Sequence, residues 1–252
     1  MIPNLKDYEK IVGKEVIEGF KSSSERLVGC HISHVNSTSQ GGGVAEILNT
    51  LVILMNRLKI DTSWRIFKGS YHFFNITKKM HNGLQGDAKA KMTSFRKRVY
   101  LEETERNCIM NHFKIEDLVI VHDPQPLAMI THYEKRQPWL WRCHIDITNA
   151  NPNIWEFVQP YVNKYDGVIV SMEQYKKPDI TRPQHIIMPS IDPLSIKNAP
   201  IHEDRRNKVL GKRGIDQDRP IITQISRFDP WKDPLGVVKM WEKVRKSTAS
   251  WC

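Results

Sequence analysis

The sequence predicts an α/β domain built on a parallel sheet, and three observations carry that expectation. Short apolar runs end in polar residues. Segments of helical periodicity lie between those runs. A glycine-rich loop separates the first run from the helix behind it. The runs Leu118-Val119-Ile120-Val121, Trp139-Leu140-Trp141-Arg142-Cys143 and Gly167-Val168-Ile169-Val170 do not alternate, as suits strands buried on both faces. Strands alternating with helices imply a parallel sheet with crossover helices.

Taken in order, residues 7–20 place Tyr8, Ile11, Val12, Val16 and Phe20 near helical spacing, and Ser22-Ser23-Ser24 ends that helix. Residues 27–35 read as the first strand and run into His34-Val35-Asn36-Ser37-Thr38-Ser39-Gln40-Gly41-Gly42-Gly43. A helix follows, with Val44, Ile47, Leu48, Leu51, Leu54, Met55 and Leu58 on one broad face. Residues 62–67 form a second strand, 71–86 an irregular stretch rich in aromatic, Asn and Gly residues, and 95–112 a helix. Three strands then end in His122-Asp123-Pro124-Gln125-Pro126, His144-Ile145-Asp146 and Ser171-Met172-Glu173. Asn151 and Pro152 suit the start of a helix carrying Ile154, Phe157, Val158, Tyr161 and Val162. Residues 189–193 break the pattern, and a charged helical connector spans 203–213. A strand at 221–226 and a helix opened by Asp233 and Pro234 close the chain. One strand and one helix cannot close a core. The expected division is a domain over residues 1–195, then residues 196–252 as a linker and the start of an incomplete second domain. The ending from residue 247 to 252 does not continue the pattern of such a domain.

Composition narrows the partners. The 252 residues are 40% hydrophobic and 26% charged, with a net charge of +10. A basic balance favours anionic ligands. Lysines and arginines are scattered, without the interleaved basic and aromatic stripe of single-strand binders, so nucleic acid is not expected. No apolar run reaches membrane-span length. Cys30, Cys108, Cys143 and Cys252 show no CxxC spacing, which excludes a thioredoxin-like motif and a structural zinc. Free thiols and a polar N-terminus point to the cytoplasm.

Chemistry concentrates where strands end. In an open parallel sheet ligands bind beyond the carboxyl ends of the strands, where His34, Asn36, His122, Asp123, His144, Asp146 and Glu173 gather. Gly41, Gly42 and Gly43 precede a helix start, whose free N–H groups and dipole suit an anion. The loop lacks the GK[ST] of a P-loop and the GxGxxG of dinucleotide binders. Arg227 and Lys232 flank a strand-to-helix turn, where a guanidinium fork and a point charge suit a diphosphate. No helix carries metal-ligand spacing such as HExxH, so no metal is expected. A nicotinamide dehydrogenase needs an acidic residue at the end of the second strand, and Asp61 lies before that strand.

Five stretches carry a resemblance. They are His34-Val35-Asn36-Ser37-Thr38 with Gly41-Gly42-Gly43-Val44-Ala45-Glu46-Ile47-Leu48, His122-Asp123-Pro124-Gln125-Pro126, Trp141-Arg142-Cys143-His144-Ile145-Asp146, Met188-Pro189-Ser190-Ile191-Asp192-Pro193-Leu194-Ser195, and Gln224-Ile225-Ser226-Arg227-Phe228-Asp229-Pro230-Trp231-Lys232. In this order they resemble the retaining GT-B glycosyltransferases that use nucleotide sugars, the group of the glycogen and sucrose-phosphate synthases, and within it the trehalose glycosyltransferring synthases. The resemblance implies a Rossmann-like N-terminal domain of a GT-B fold on the acceptor side, followed by the start of a nucleotide-sugar-binding domain. It implies reversible transfer of glucose from a nucleoside diphosphate glucose to glucose, giving trehalose with retained configuration.

In that family the diphosphate is held by residues matching Arg227 and Lys232, with the loop of Gly41, Gly42 and Gly43 against it. His144 matches the histidine that contacts the donor sugar, so His144, Arg227 and Lys232 are the implied catalytic groups. Asn36, Gln125, Trp141 and Asp146 are expected on the acceptor-sugar side. No cofactor is obligatory, a divalent cation enters only as a stimulator, and a homodimer is admitted. The family's second domain carries the nucleotide base, the ribose and a pair of Glu residues, so weak or absent turnover is expected of this chain alone. The alternatives are a non-catalytic sugar-binding remnant and, behind it, a nicotinamide-dependent oxidoreductase.

Overall fold

The structure is a computed structural model that describes residues 4–247. Cys252 and the ending after residue 247 lie outside the described residues. Contacts divide the chain into two compact units, Met1–Ser195 and Ile196–Cys252.

The first unit holds six parallel strands: β1 (His31–Asn36), β2 (Asp61–Ile66), β3 (Leu118–His122), β4 (Trp139–Arg142), β5 (Gly167–Val170) and β6 (Gln184–Ile186), in the order β2-β1-β3-β4-β5-β6. This is the Rossmann-like α/β architecture expected. After β2 the order reverses, so β1 and β3 flank the topological switch point, where an open α/β sheet leaves a crevice beyond its strand ends. The short β6 was not anticipated, because Gln184-His185-Ile186 lacks the apolar run that marks its neighbours.

The chain opens on α1 (Leu5–Val12), whose capping box pairs Asn4 and Asp7 reciprocally at 3.2 and 2.8 Å. The single helix expected here is two. Gly13, at φ +86°, separates α1 from α2 (Lys14–Glu25), a conformation open to glycine and strained for other residues. The serines do not end the helix, because the Ser24 hydroxyl bonds back to the Lys21 carbonyl at 2.7 Å. Residues 27–30 are a turn, so β1 begins later than expected.

Helix α3 (Gly43–Arg57) follows the glycine loop as expected. Residues 71–86 are not irregular. They form α4 (Tyr71–Leu84), capped by the Ser70 hydroxyl. Its buried residues Phe73, Ile76, Thr77, Met80 and Leu84 recur at helical spacing, and this stripe outweighs the Asn and Gly content. Helices α5 (Ser94–Met110) and α6 (Pro152–Val162) follow, and Asn151 caps α6 through the Asn153 N–H.

One continuous core joins α4, α5, α6 and the sheet, with Phe67, Phe73, Tyr100, Trp139, Trp141 and Tyr165 all fully buried. Asp192 ties the end of this unit to its beginning. Its carboxylate accepts from the Tyr8 and Thr50 hydroxyls, both at 3.0 Å, and from the Leu194 N–H at 2.9 Å.

In the second unit, α7 (Glu203–Lys212) is the charged connector and α8 (Pro234–Ser247) the closing helix. Asp233 caps α8 by accepting from the Gly236 N–H at 3.0 Å, as its sequence predicts. Residues 221–226, expected as a strand, form no strand among the described residues. A strand exists only through a ladder, and this segment has no strand beside it among the described residues.

Gly83 sets the approach of α4 to α6. Its carbonyl accepts from the Asn151 N–H at 2.8 Å, and a Cβ there would lie 2.5 Å from Ile154 Cγ1 and 2.8 Å from Ala90 Cβ. Gly83→Ala is therefore expected to destabilise the domain by about 1–3 kcal/mol, despite alanine's better helix propensity. Urea unfolding reads this directly, and an unchanged or raised midpoint would show that the two helices do not meet so closely.

Candidate functional site

Two consecutive turns build the site at the carboxyl edge of the sheet. Val35 pairs with Val121, so His34 on β1 and His122 on β3 project from one face. His34 Nδ1 lies 2.9 Å from His122 Nε2, and His122 Nδ1 lies 2.8 Å from His144 Nε2. The outer rings each stand 5.2 Å from the central one. The three imidazoles form a line running from the interior to the edge, beside the β1/β3 switch point.

The backbone turns immediately after β3 through Asp123, at φ +61° and directly before Pro124. Both features disfavour that conformation for most residues. The turn is over-determined. The Asp123 N–H donates to the Arg142 carbonyl at 2.9 Å, and its carbonyl accepts from the Trp141 indole N–H at 3.0 Å. Its Oδ1 accepts from the His144 N–H at 2.9 Å. One residue thus ties the end of β3 to the end of β4 and holds the backbone that carries His144. From α5, the buried Tyr100 hydroxyl donates to the Pro124 carbonyl at 2.8 Å and accepts from the Ala128 N–H at 3.2 Å. The Tyr165 hydroxyl donates to the Leu127 carbonyl at 2.6 Å. The segment holding Gln125 is therefore fixed from below.

Burial controls the charges. It pushes His34 down to about 4 and His144 down to about 3, the latter with help from the Arg142 guanidinium. His122 falls well below its ordinary value, through burial and then through its two histidine neighbours. Asp123 is pushed up to about 6 by burial, against the opposing pull of the His144 N–H and Arg142. Arg142 is buried and donates to the Val170 and Ile187 carbonyls. At neutral pH the cluster is three neutral imidazoles beside a carboxylate and a guanidinium.

The other expected residues divide into three groups. Asn36 is buried at the end of β1, and its amide donates to the Thr38 carbonyl at 3.0 Å. Gln125 and Asp146 are half-buried at the same edge. The Gln125 Oε1 is sealed without a partner, and Asp146 Oδ1 accepts from the Thr148 N–H at 2.8 Å. Trp141 lies at 0% exposure, so it presents no face to a sugar. The apolar run that predicts its strand also buries it, and it supports the site through its bond to Asp123.

Gly41 and Gly42 adopt φ +73° and +82°, which calls for glycine. A Cβ at Gly41, Gly42 or Gly43 would meet nothing within 4 Å, so the loop leaves open space before α3, whose N-terminus has no side-chain cap.

In the second unit Arg227 is exposed and pairs with Asp229 at 2.8 Å, while Lys232 ends the 3-10 turn Pro230–Lys232 and is exposed. Asp229 competes with any anion for Arg227. Asp61 opens β2 and pairs with His31 at 3.0 Å, at the opposite end of the sheet from the glycine loop, which removes the acidic residue a dinucleotide site needs. Among the described residues no group of three His, Cys, Asp or Glu side chains converges to hold a metal, and no helix is long and apolar enough to cross a membrane.

The sequence placed His34, His122 and Asp123 at strand ends and in the stretches of family resemblance, with no role of their own. Arg142 lies in such a stretch and Tyr100 in none, and neither was given a role. Signals existed for two of them: a polar His34 within an apolar strand, and an Asp directly before a proline where β3 ends.

The neutral rings make stability depend on pH. Unfolded histidines take up protons below about pH 6.5, whereas His34 and His144 resist until about pH 4 and about pH 3. The unfolded state binds more protons in that window, so this stability is present above pH 6.5 and is lost as the pH falls. Asp123 acts oppositely, since its folded carboxyl holds a proton below about pH 6. Three rings outweigh one carboxyl. The urea midpoint is expected to fall between about pH 7 and about pH 4.5, and a flat or rising midpoint would mean the rings are not buried neutral.

Residues 34–177 match the family described as trehalose synthase, N-terminal domain. A trehalose synthase of Thermococcus litoralis is 46% identical over 243 residues, covering 96% of this chain and 59% of the relative. One from Rubrobacter xylanophilus is 38% identical over 249 residues, with the same coverage. A trehalose phosphorylase of Grifola frondosa is 24% identical over 288 residues, covering 98% of this chain and 38% of the relative. The chain thus spans 59% of the length of these trehalose synthases.

Proposed function

The chain belongs to the family of trehalose synthase N-terminal domains, and from that premise we propose that it serves glucosyl transfer between a nucleoside diphosphate glucose and glucose, with trehalose as product and the anomeric configuration retained. The observation that carries this reading is the position of His144. It stands at the sheet's carboxyl edge beside the switch point, bonded inward through Nε2 to His122, with no partner on Nδ1 among the described residues.

The roles follow from the chemistry. Sugars are held by hydrogen-bonding groups of fixed direction, and the half-buried His144, Asp146 and Gln125 supply them at this edge, Gln125 through its amide nitrogen because its Oε1 is sealed, while the buried Asn36 holds the Thr38 carbonyl behind them. When the glycosidic bond to the nucleotide breaks, negative charge develops on the diphosphate, and fixed donors and cations stabilise it. To the first unit we assign the amides of the Gly41 to Gly43 loop for that charge. To the second we assign Arg227 and Lys232, with Asp229 releasing the guanidinium as phosphate oxygens take its place. These groups need no metal to act, and a divalent cation enters only as a stimulator.

Incubating the chain with UDP-, ADP- or GDP-glucose and glucose, and quantifying trehalose, tests the reading. Weak or absent trehalose formation is expected of this chain alone, with saturable glucose binding, and any product is abolished by His144→Ala and by Arg227→Ala. Saturable glucose binding without product would leave a sugar-binding role alone. Neither binding nor product would overturn the proposal.

A further inference from the structure

The three-imidazole line has two unlike ends. Inside it, His34 Nδ1 meets His122 Nε2 and His122 Nδ1 meets His144 Nε2. At the inner end His34 Nε2 is sealed without a partner. At the outer end His144 Nδ1 has no partner among the described residues and is not sealed. Burial keeps the rings neutral, and a neutral imidazole carries one donor and one acceptor. Three protons are therefore shared among the rings. Each of the two internal contacts takes one, and the third must sit at one end.

The two registers are not equivalent. With the third proton on His34 Nε2, a donor is locked in the interior with nothing to accept it. With the proton on His144 Nδ1, the inner end holds only an unused lone pair, and the free donor meets solvent or ligand. Orphaned buried N–H groups are rarer than under-used acceptors, and leaving one unpaired costs its desolvation. We infer that His34 and His122 are positioning residues that hold His144 as the Nδ1–H tautomer, so that the site presents a fixed hydrogen-bond donor to a ligand oxygen. The ring farthest from the ligand thereby sets the polarity of the ring that touches it. All three rings must exchange protons together before His144 can accept instead, so the preference is rigid. The consequence for a sugar hydroxyl, whose lone pair would take this bond, rests on the proposed function. The tautomer itself does not.

Histidine-selective nitrogen-15 labelling of the full chain and long-range proton–nitrogen spectra near pH 7.5, without sugar, test the inference. The expected spectrum shows His144 protonated on Nδ1 and bare on Nε2, with His34 also bare on Nε2. His144 protonated on Nε2, or on both nitrogens, overturns it. His122→Phe breaks the line and is expected to shift His144 toward the Nε2–H form, whereas an unchanged His144 tautomer would show that the inner rings do not set it. Where that variant fails to fold, the unmodified chain alone decides. Because no sugar is present, failure of the glycosyltransferase reading leaves this result standing, and the reverse holds equally.

Discussion

The left-handed turn at Asp123 is the constraint on which the rest of the site depends. A non-glycine residue at φ +61° before a proline carries strain of about 1–3 kcal/mol and persists only where its surroundings over-determine it. Here the surroundings are the end of the neighbouring strand. The Arg142 carbonyl, the Trp141 indole and the His144 amide each bond to Asp123. Relaxing the turn would release all three, and His144 with them. The sheet register places β3 beside β4, and Asp123 converts that register into a fixed crest.

The crest is polar where a core would be apolar. Burying His34, His122, Asp123 and Arg142 costs desolvation unless each finds partners. The molecule meets that need with one another's atoms and with backbone carbonyls, leaving unmatched the inner nitrogen of His34 and the open nitrogen of His144. Packing beneath the crest is correspondingly rigid. Tyr100 and Tyr165 hold the loop after β3 from the helix side, and Trp141 fills the space below Asp123.

The sheet was legible because its strands, buried on both faces, leave continuous apolar runs, and the glycine loop was legible because its backbone needs φ above zero. The first and second helices and α4 were less so. Gly13 breaks a helix whose apolar spacing runs on through its flanking residues, and the stripe Phe73, Ile76, Met80, Leu84 is diluted by Asn and Gly. The position of His144, Asn36 and Asp146 at the carboxyl edge was legible from where the strands end, since an open parallel sheet delivers such residues to one edge. Side-chain direction was not legible. Trp141 has the chemistry of a sugar platform, yet it sits on β4, a strand covered on both faces. The His34–His122–His144 line was also hidden, because it depends on the register between strands far apart in sequence.

Calorimetric titration with glucose of the chain, of Asp123→Asn and of Asp123→Ala tests the central claim, that the Asp123 turn holds in place the crest proposed to bind sugar. Asparagine tolerates the left-handed conformation and keeps the Oδ1 acceptor, so it should bind glucose as the unmodified chain does. Alanine should weaken binding by about tenfold or more, with far-UV circular dichroism unchanged. Equal affinity in all three proteins would contradict the account.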